Sequence, residues 1–192
     1  MFEEAYGRAS QIQGWFSRAD FEKLHELLTA TIDGCVLEVG SFLGRSTAFI
    51  SHYHPVICID PWRLGPKWAE ALKKRGVEVD ARGSSFYSAF ERFAMTENPF
   101  GSRVVAIRKC DYDVWPAWGG RIGLMHLDHL HTENAVFNSL RAWRRHLSPG
   151  AKVYVHDSNV PDVMKGIKRS GIEILEVVAA SEFQPAVCAF TT

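Results

Sequence analysis

Hydrophobic positions along the chain fall into short unbroken runs, separated by longer stretches with helical spacing. Cys35-Val36-Leu37-Glu38-Val39-Gly40 is one such run, closed by a glycine. Four more are Val56-Ile57-Cys58-Ile59-Asp60, Val104-Val105-Ala106-Ile107, Ile122-Gly123-Leu124-Met125-His126-Leu127-Asp128 and Val153-Tyr154-Val155-His156-Asp157. Short apolar runs bounded by turn residues predict buried strands. Between them, 10–31 reads as helical, with Ser17 and Asp20 as candidate caps and Phe21, Leu24, Leu27 and Leu28 at helical spacing. A turn at 41–47 opens a helix that runs to about His52. Further helices are predicted over 66–75, 84–95, 132–147 and 162–169, the third stopped by Ser148-Pro149-Gly150. Two late strands fall near 172–178 and 186–190.

Strands that alternate with helices and are apolar throughout call for a parallel sheet covered on both faces. The fold class predicted is therefore α/β, a doubly wound sheet. No long helix separates the last two strands, so they are expected to form an antiparallel hairpin at one edge. The chain shows no repeat and no linker, and residues 1–192 read as a single domain. In such sheets ligands bind beyond the C-terminal ends of the strands. Three of those ends carry an acid, Asp60, Asp128 and Asp157.

Composition narrows the partners. Lys plus Arg is 22 and Asp plus Glu is 22, which argues against a protein built around a nucleic-acid backbone or an anionic membrane. No apolar run approaches the roughly 20 residues that span a bilayer. The start, Met1-Phe2-Glu3-Glu4, lacks the apolar stretch of a signal peptide. The four cysteines form no Cys-x-x-Cys pair and read as small buried thiols. A cytoplasmic location is expected on these grounds.

The most informative stretch is Glu38-x-Gly40-x-x-x-Gly44-x-Ser46, between a strand and a helix. Gly40 would let a ligand approach the backbone, and Gly44 would let the helix start close to the sheet. The pattern is neither the Gly-x-Gly-x-x-Gly of dinucleotide enzymes nor the Gly-Lys-Ser/Thr of a phosphate loop, which weakens a nicotinamide or phosphate ligand. A small zwitterionic end, such as the methionine part of S-adenosylmethionine, fits better; a tight turn with no ligand is the alternative. Asp60 ends the next strand, where a carboxylate can accept hydrogen bonds from both ribose hydroxyls or serve as a helix cap. Trp62 could cover an adenine or simply pack. Cys110-Asp111, after the third strand, is a candidate for the adenine edge, or Asp111 could cap the turn that follows.

Four stretches together resemble the class I S-adenosylmethionine-dependent methyltransferases, in particular the bacterial small-molecule O-methyltransferase branch related to catechol O-methyltransferase and macrocin O-methyltransferase. They are Gly14-Trp15-Phe16-Ser17 leading to Leu37-Glu38-Val39-Gly40-Ser41-Phe42-Leu43-Gly44-Arg45-Ser46-Thr47, then Ile59-Asp60-Pro61-Trp62, then Leu127-Asp128-His129-Leu130-His131, then Leu147-Ser148-Pro149-Gly150 through Val155-His156-Asp157. The resemblance implies a Rossmann-like seven-stranded sheet, mostly parallel with an antiparallel edge strand. It also implies that Gly40, Ser41, Gly44 and Ser46 hold the methionine end and that Asp60 holds the ribose. Cys110, Asp111 and His129 would border the adenine beside Trp62, and Glu38 would anchor the turn from beneath.

Methyl transfer to oxygen requires an aligned acceptor and a destination for its proton. Asp128 and Asp157 close neighbouring strands, so both can face one site. In the metal-dependent relatives the matching positions hold Mg²⁺ or a similar cation, which implies Asp128, Asp157 and the following Ser158 as ligands here. His131 stands where catechol O-methyltransferase carries its basic lysine, which implies His131 as general base with Asp128 beside it. Imidazole titrates near neutrality and suits that task. The function expected is methyl transfer to a small-molecule hydroxyl, possible homodimerisation included. The competing expectation is a regulatory domain that binds the cofactor without catalysis. The insert at 63–101 and the N-terminal segment 1–31 are expected to shape the acceptor pocket. His126 and Trp143 are expected in the core.

Overall fold

The computed structural model describes residues 1–62, 74 and 103–190. Seven strands form one sheet in the order β3-β2-β1-β4-β5-β7-β6. They are β1 (Cys35–Val39), β2 (Val56–Ile59), β3 (Val104–Ile107), β4 (Ile122–Leu127), β5 (Leu147–Val155), β6 (Glu173–Val177) and β7 (Ala186–Ala189). The first five run parallel. β7 is antiparallel to both β5 and β6, so the expected hairpin forms one edge, with β6 outermost. Chain order reverses between β1 and β4, and the C-terminal ends of those strands form the crevice where ligands bind in sheets of this kind.

Six helices flank the sheet among the described residues: α1 (Phe2–Ala9), α2 (Arg18–Thr29), α3 (Arg45–Tyr53), α4 (Asp111–Val114), α5 (Glu133–Trp143) and α6 (Pro161–Ser170). Alternation along the strands sorts side chains into two cores. Val36, Leu124 and Tyr154 pack with Phe21, Leu24 and Phe49 under α1, α2 and α3. Leu37, Val39, Met125, Leu127 and Val153 pack with Val136, Leu140, Trp143 and Ile167 under α5 and α6. Each such apolar side chain removed from water contributes about 1.5–3 kcal/mol. The strands are not wholly apolar. Glu38, His126 and Tyr154 lie side by side across β1, β4 and β5 on the face toward α2, and all three are buried.

Two helices differ from their sequence-based bounds. Of the helix predicted over 10–31, only α2 is helical; 10–17 is a non-helical segment that joins it to α1, which lies before the predicted range. Gly14 sits at φ +157, a backbone conformation that side chains rarely adopt, and Ser17 starts α2 with a reciprocal capping box. Its hydroxyl accepts from the Asp20 N–H, and the Asp20 carboxylate accepts from the Ser17 N–H at 2.6 Å. The caps were visible, and their presence means that the helix begins there rather than at Ser10. The helix predicted over 132–147 ends at Trp143, continues as a 3₁₀ turn over Arg144–His146, and gives way to β5 at Leu147. Ser148-Pro149-Gly150 therefore lies inside β5. The helices predicted over 66–75 and 84–95, and the insert at 63–101, lie outside the described residues apart from Lys74.

Candidate active site

A cavity of about 1190 Å³ opens over the C-terminal ends of β1, β2 and β4. Of the sequence-derived candidates, Gly40, Ser41, Ser46, Asp60, Trp62, Cys110, Asp111, Asp128, His129, His131 and Asp157 line it. Glu38, Gly44 and Ser158 do not.

The turn after β1 is held from below by Glu38. Its buried carboxylate accepts from Ser46 Oγ at 2.6 Å and from the Thr47 hydroxyl, which fixes the first turn of α3. His126 Nδ1 lies 3.1 Å from the same carboxylate. Burial alone would raise the pKa of Glu38, but His126 and the two hydroxyls outweigh it and hold the carboxyl below its ordinary range. Gly44 caps α3 in the left-handed region at φ +89. Gly40 also has positive φ, and a Cβ there would lie 1.7 Å from the Asp128 carbonyl oxygen. The close approach that Gly40 permits is thus to the backbone after β4, and that contact seats Asp128 beside the turn. Ser41 Oγ is buried without a hydrogen-bond partner among the described residues, a polar atom left for something in the cavity.

Asp60 binds the turn to β2. One carboxylate oxygen accepts from the Phe42 N–H at 2.9 Å, and the other accepts from the Trp62 N–H. Burial pushes its pKa up to about 6, against the pull of those two N–H groups. The Trp62 indole is buried and donates from Nε1 to the Phe42 carbonyl at 2.6 Å, so it packs as well as lining the cavity. On the other side, the Asp111 carboxylate accepts from Ser139 Oγ and, at 3.4 Å, from Trp143 Nε1. His129 Nε2 lies 2.7 Å from Ser139 Oγ. Asp111 therefore ties α4 to α5, and the N-cap of α4 is Cys110, with no side-chain cap bond.

Two carboxylates and two imidazoles meet beyond β4 and β5. His131 Nε2 lies 3.0 Å from Asp157 Oδ2 and 3.4 Å from Asp128 Oδ1. His156 Nδ1 lies 3.2 Å from Asp157 Oδ2 and 3.5 Å from Asp128 Oδ2. Burial works to lower the pKa of both rings, but the two site acids, joined by Asp20 at His156, win and raise His131 to about 9 and His156 to about 10. In return the imidazoles hold Asp157 and Asp128 below the ordinary carboxylate range, despite their burial. Asp157 sits at φ +54 and the cavity residues Phe42 and Trp62 at +47 and +49. Each left-handed non-glycine costs about 1–3 kcal/mol and persists only where surrounding contacts impose it. Asp128, His131 and Asp157 each offer a donor atom within 4.8 Å of the others, a set that fits a cation. The Ser158 hydroxyl donates to the Gln184 carbonyl. The imidazole of His131 thus joins the two expected acids as a donor.

The N-terminal segment, expected to shape the acceptor pocket, supplies part of a third wall, and the loop before β7, to which no sequence pattern pointed, supplies the rest. Gln13, Gly14, Trp15 and Phe16, from the segment between α1 and α2, line the cavity with Glu182 and Phe183 from the loop before β7. Arg45 straps the N-terminal segment down, donating to the carbonyls of Ile12 at 2.7 Å, Phe16 at 3.2 Å and Ser10 at 3.3 Å. Gly14-Trp15-Phe16 belongs to one of the stretches that carry the family resemblance.

A family model described as a methyltransferase domain matches residues 37–158, more than half of the chain. The chain belongs to this methyltransferase-domain family. It is a class I S-adenosylmethionine-dependent methyltransferase, and the cavity residues fit that cofactor: a glycine turn, an unpartnered Ser41 hydroxyl and the Asp60 carboxylate. No curated protein matches the chain. Among solved structures, the O-methyltransferase NovP superposes with a TM-score of 0.66 at 12% identity, over 90% of this chain and 81% of its own. The calicheamicin methyltransferase CalS11 gives 0.59 at 15% identity, over 92% and 82%. Fibrillarin from Aeropyrum pernix, solved with natively bound S-adenosyl-L-methionine, gives 0.53 at 11% identity, over 82% and 66%. These likenesses share the fold. No helix among the described residues is long and apolar enough to cross a membrane.

Proposed function

We propose that the chain methylates a hydroxyl oxygen of a small-molecule acceptor, with His131 as the base. The observation that carries this is the setting of one imidazole. Nε2 of His131 faces the Asp128 and Asp157 carboxylates, and Nδ1 has no partner among the described residues. S-Adenosylmethionine supplies the activated methyl group when bound. Carboxylates that grip Nε2–H fix the ring tautomer and leave Nδ1 to take the acceptor proton. They also stabilise the imidazolium that results. Because the acids raise His131 to about 9, its unprotonated fraction, and the rate it supports, grow as pH rises toward that value. Trp15, Phe16 and Phe183 supply an apolar enclosure consistent with a small organic acceptor.

A second reading is favoured by the donor set itself. Asp128, Asp157 and His131 would hold a divalent cation. When bound, such a cation lowers the pKa of a coordinated hydroxyl and orients it. His131 would then be a ligand rather than the base.

Calorimetry with S-adenosylhomocysteine, followed by transfer of labelled methyl to a panel of phenols and sugars, tests both readings. His131→Ala is expected to lower transfer by about 10²–10⁴-fold and leave S-adenosylhomocysteine affinity intact. Unchanged transfer removes His131 from the role of base. Chelation followed by Mn²⁺ add-back abolishes and restores transfer only in the second reading. A chain that binds the product but methylates nothing in the panel points to a cofactor-binding domain without catalysis.

A further inference from the structure

We propose that His156 is a positioning residue for the reaction centre, a clamp that sets the Asp128 and Asp157 carboxylates in place for His131. The proposal rests on the preceding reading that these three groups form that centre. Its own support is the way His156 is held. The ring lies flat on Phe16, with centroids 5.0 Å apart and planes 11° apart, and Phe183 packs on it at 4.9 Å. Nδ1 faces both site carboxylates, at 3.2 Å and 3.5 Å. Nε2 points the other way, 3.8 Å from Asp20 Oδ2 in α2.

Asp20 is itself pinned. Its carboxylate accepts from the Ser17 N–H at 2.6 Å and from Ser181 Oγ at 2.5 Å, and Ser17 Oγ lies 3.3 Å from Ser181 Oγ. The capping box of α2 and the loop before β7 therefore meet on one buried carboxylate, and that carboxylate faces His156. Three segments far apart in sequence converge on a ring whose remaining polar edge touches only the two site acids. His156 is buried and Asp20 fully so. Asp157 adopts a left-handed backbone that aims its carboxylate back at the ring of the residue before it. A ring stacked between Phe16 and Phe183, with Nδ1 on the two site acids and Nε2 at ion-pair distance from Asp20, transmits that rigidity to the carboxylates.

The test reads His131 directly and needs no acceptor. Full-length protein with labelled histidine is saturated with S-adenosylhomocysteine, and the Cε1–H resonance of His131 is assigned by its loss in His131→Gln. His156→Phe keeps the stacking and removes both nitrogens. It is expected to shift and broaden the His131 resonance, with S-adenosylhomocysteine affinity unchanged. His156→Asn restores a donor where Nδ1 stood, and is expected to return the resonance toward its original position. A structural role alone would lower the melting temperature and leave the His131 resonance where it was. That result, or equal spectra for the Asn and Phe variants, overturns the proposal. If His156→Phe does not fold, Asp20→Asn takes its place: a shifted His131 signal supports the clamp, and an unmoved one ends it. Failure of the methylation panel bears on the preceding reading alone, since the resonance is read without turnover.

Discussion

The turn after β1 and the segment between α1 and α2 both line the cavity, yet they are built in different ways. The turn is local. Gly40, Ser41 and Gly44 follow one strand directly, Glu38 holds the next helix through Ser46 and Thr47, and Asp60 closes the turn from the adjacent strand. Its shape comes from glycine conformations and from two acids, Glu38 and Asp60, set on neighbouring strands. The N-terminal segment has no regular structure and is held by side chains from elsewhere, above all by Arg45 and by packing of Phe16 on His156. The first wall suits a ligand that every member of a cofactor-dependent class must bind. The second suits the part of the reaction that varies, because exchanging a few side chains can rebuild it without touching the sheet.

The largest effect that would sharpen this contrast is expected from one methyl group in the first wall. Gly40→Ala places a Cβ 1.7 Å from the Asp128 carbonyl oxygen, and the residue already needs φ +94. Backbone, not a flexible side chain, stands in the way, so either the turn or the strand end after β4 must move. A loss of more than about 4 kcal/mol of stability is expected, with no detectable binding of S-adenosylhomocysteine. Chemical denaturation and calorimetry on the variant give both quantities. A variant that folds and binds normally would mean that the two turns are not in contact in solution.

The same contrast explains what could be read from the sequence. The sheet and the acids at its strand ends were legible because strands and turns are local patterns: Asp60, Asp128 and Asp157 stand within two residues of a strand end. The helical reading of 10–31 failed because hydrophobic spacing could not distinguish residues facing a sheet from Trp15 and Phe16 facing a cavity. Nothing in the sequence pointed to the bond from the Ser158 hydroxyl to the carbonyl of Gln184, a residue 26 positions on. His156 drew no attention, because its role depends on Asp20 and Phe16, which the chain brings to it from more than a hundred residues away. Contacts of that separation leave no periodicity to detect.

A smaller effect is expected in the second wall. Arg45→Met keeps the aliphatic stem that packs against Gly14 but removes the bonds to the Ser10, Ile12 and Phe16 carbonyls. Hydrogen bonds to a charged group contribute about 1.5–3 kcal/mol each at most, and solvent replaces part of that for carbonyls that become exposed. We expect about 2 kcal/mol of lost stability, altered Trp fluorescence near the strap, and S-adenosylhomocysteine affinity close to that of the parent. Loss of cofactor affinity comparable with Gly40→Ala would erase the distinction between the two walls.

The mildest perturbation is pH, and it returns to the first wall. Burial raises Asp60 to about 6, above the unfolded value of about 3.9. For folding, the sign is that ionised Asp60 is a penalty, fully developed above about 6 and absent below the unfolded pKa. For binding the sign is opposite. Ribose hydroxyls donate to the carboxylate and favour its ionised form, so the ligand and the proton compete. Affinity for S-adenosylhomocysteine should be level above about 6 and fall below it, approaching tenfold per pH unit. His131 and His156 titrate far above this window, at about 9 and about 10, so they remain charged through it and add no slope of their own. Asp60→Asn binds more weakly at neutral pH but should lose the slope between pH 4.5 and about 6. A slope that survives in Asp60→Asn would place the titrating group elsewhere and leave the ribose without its assigned partner.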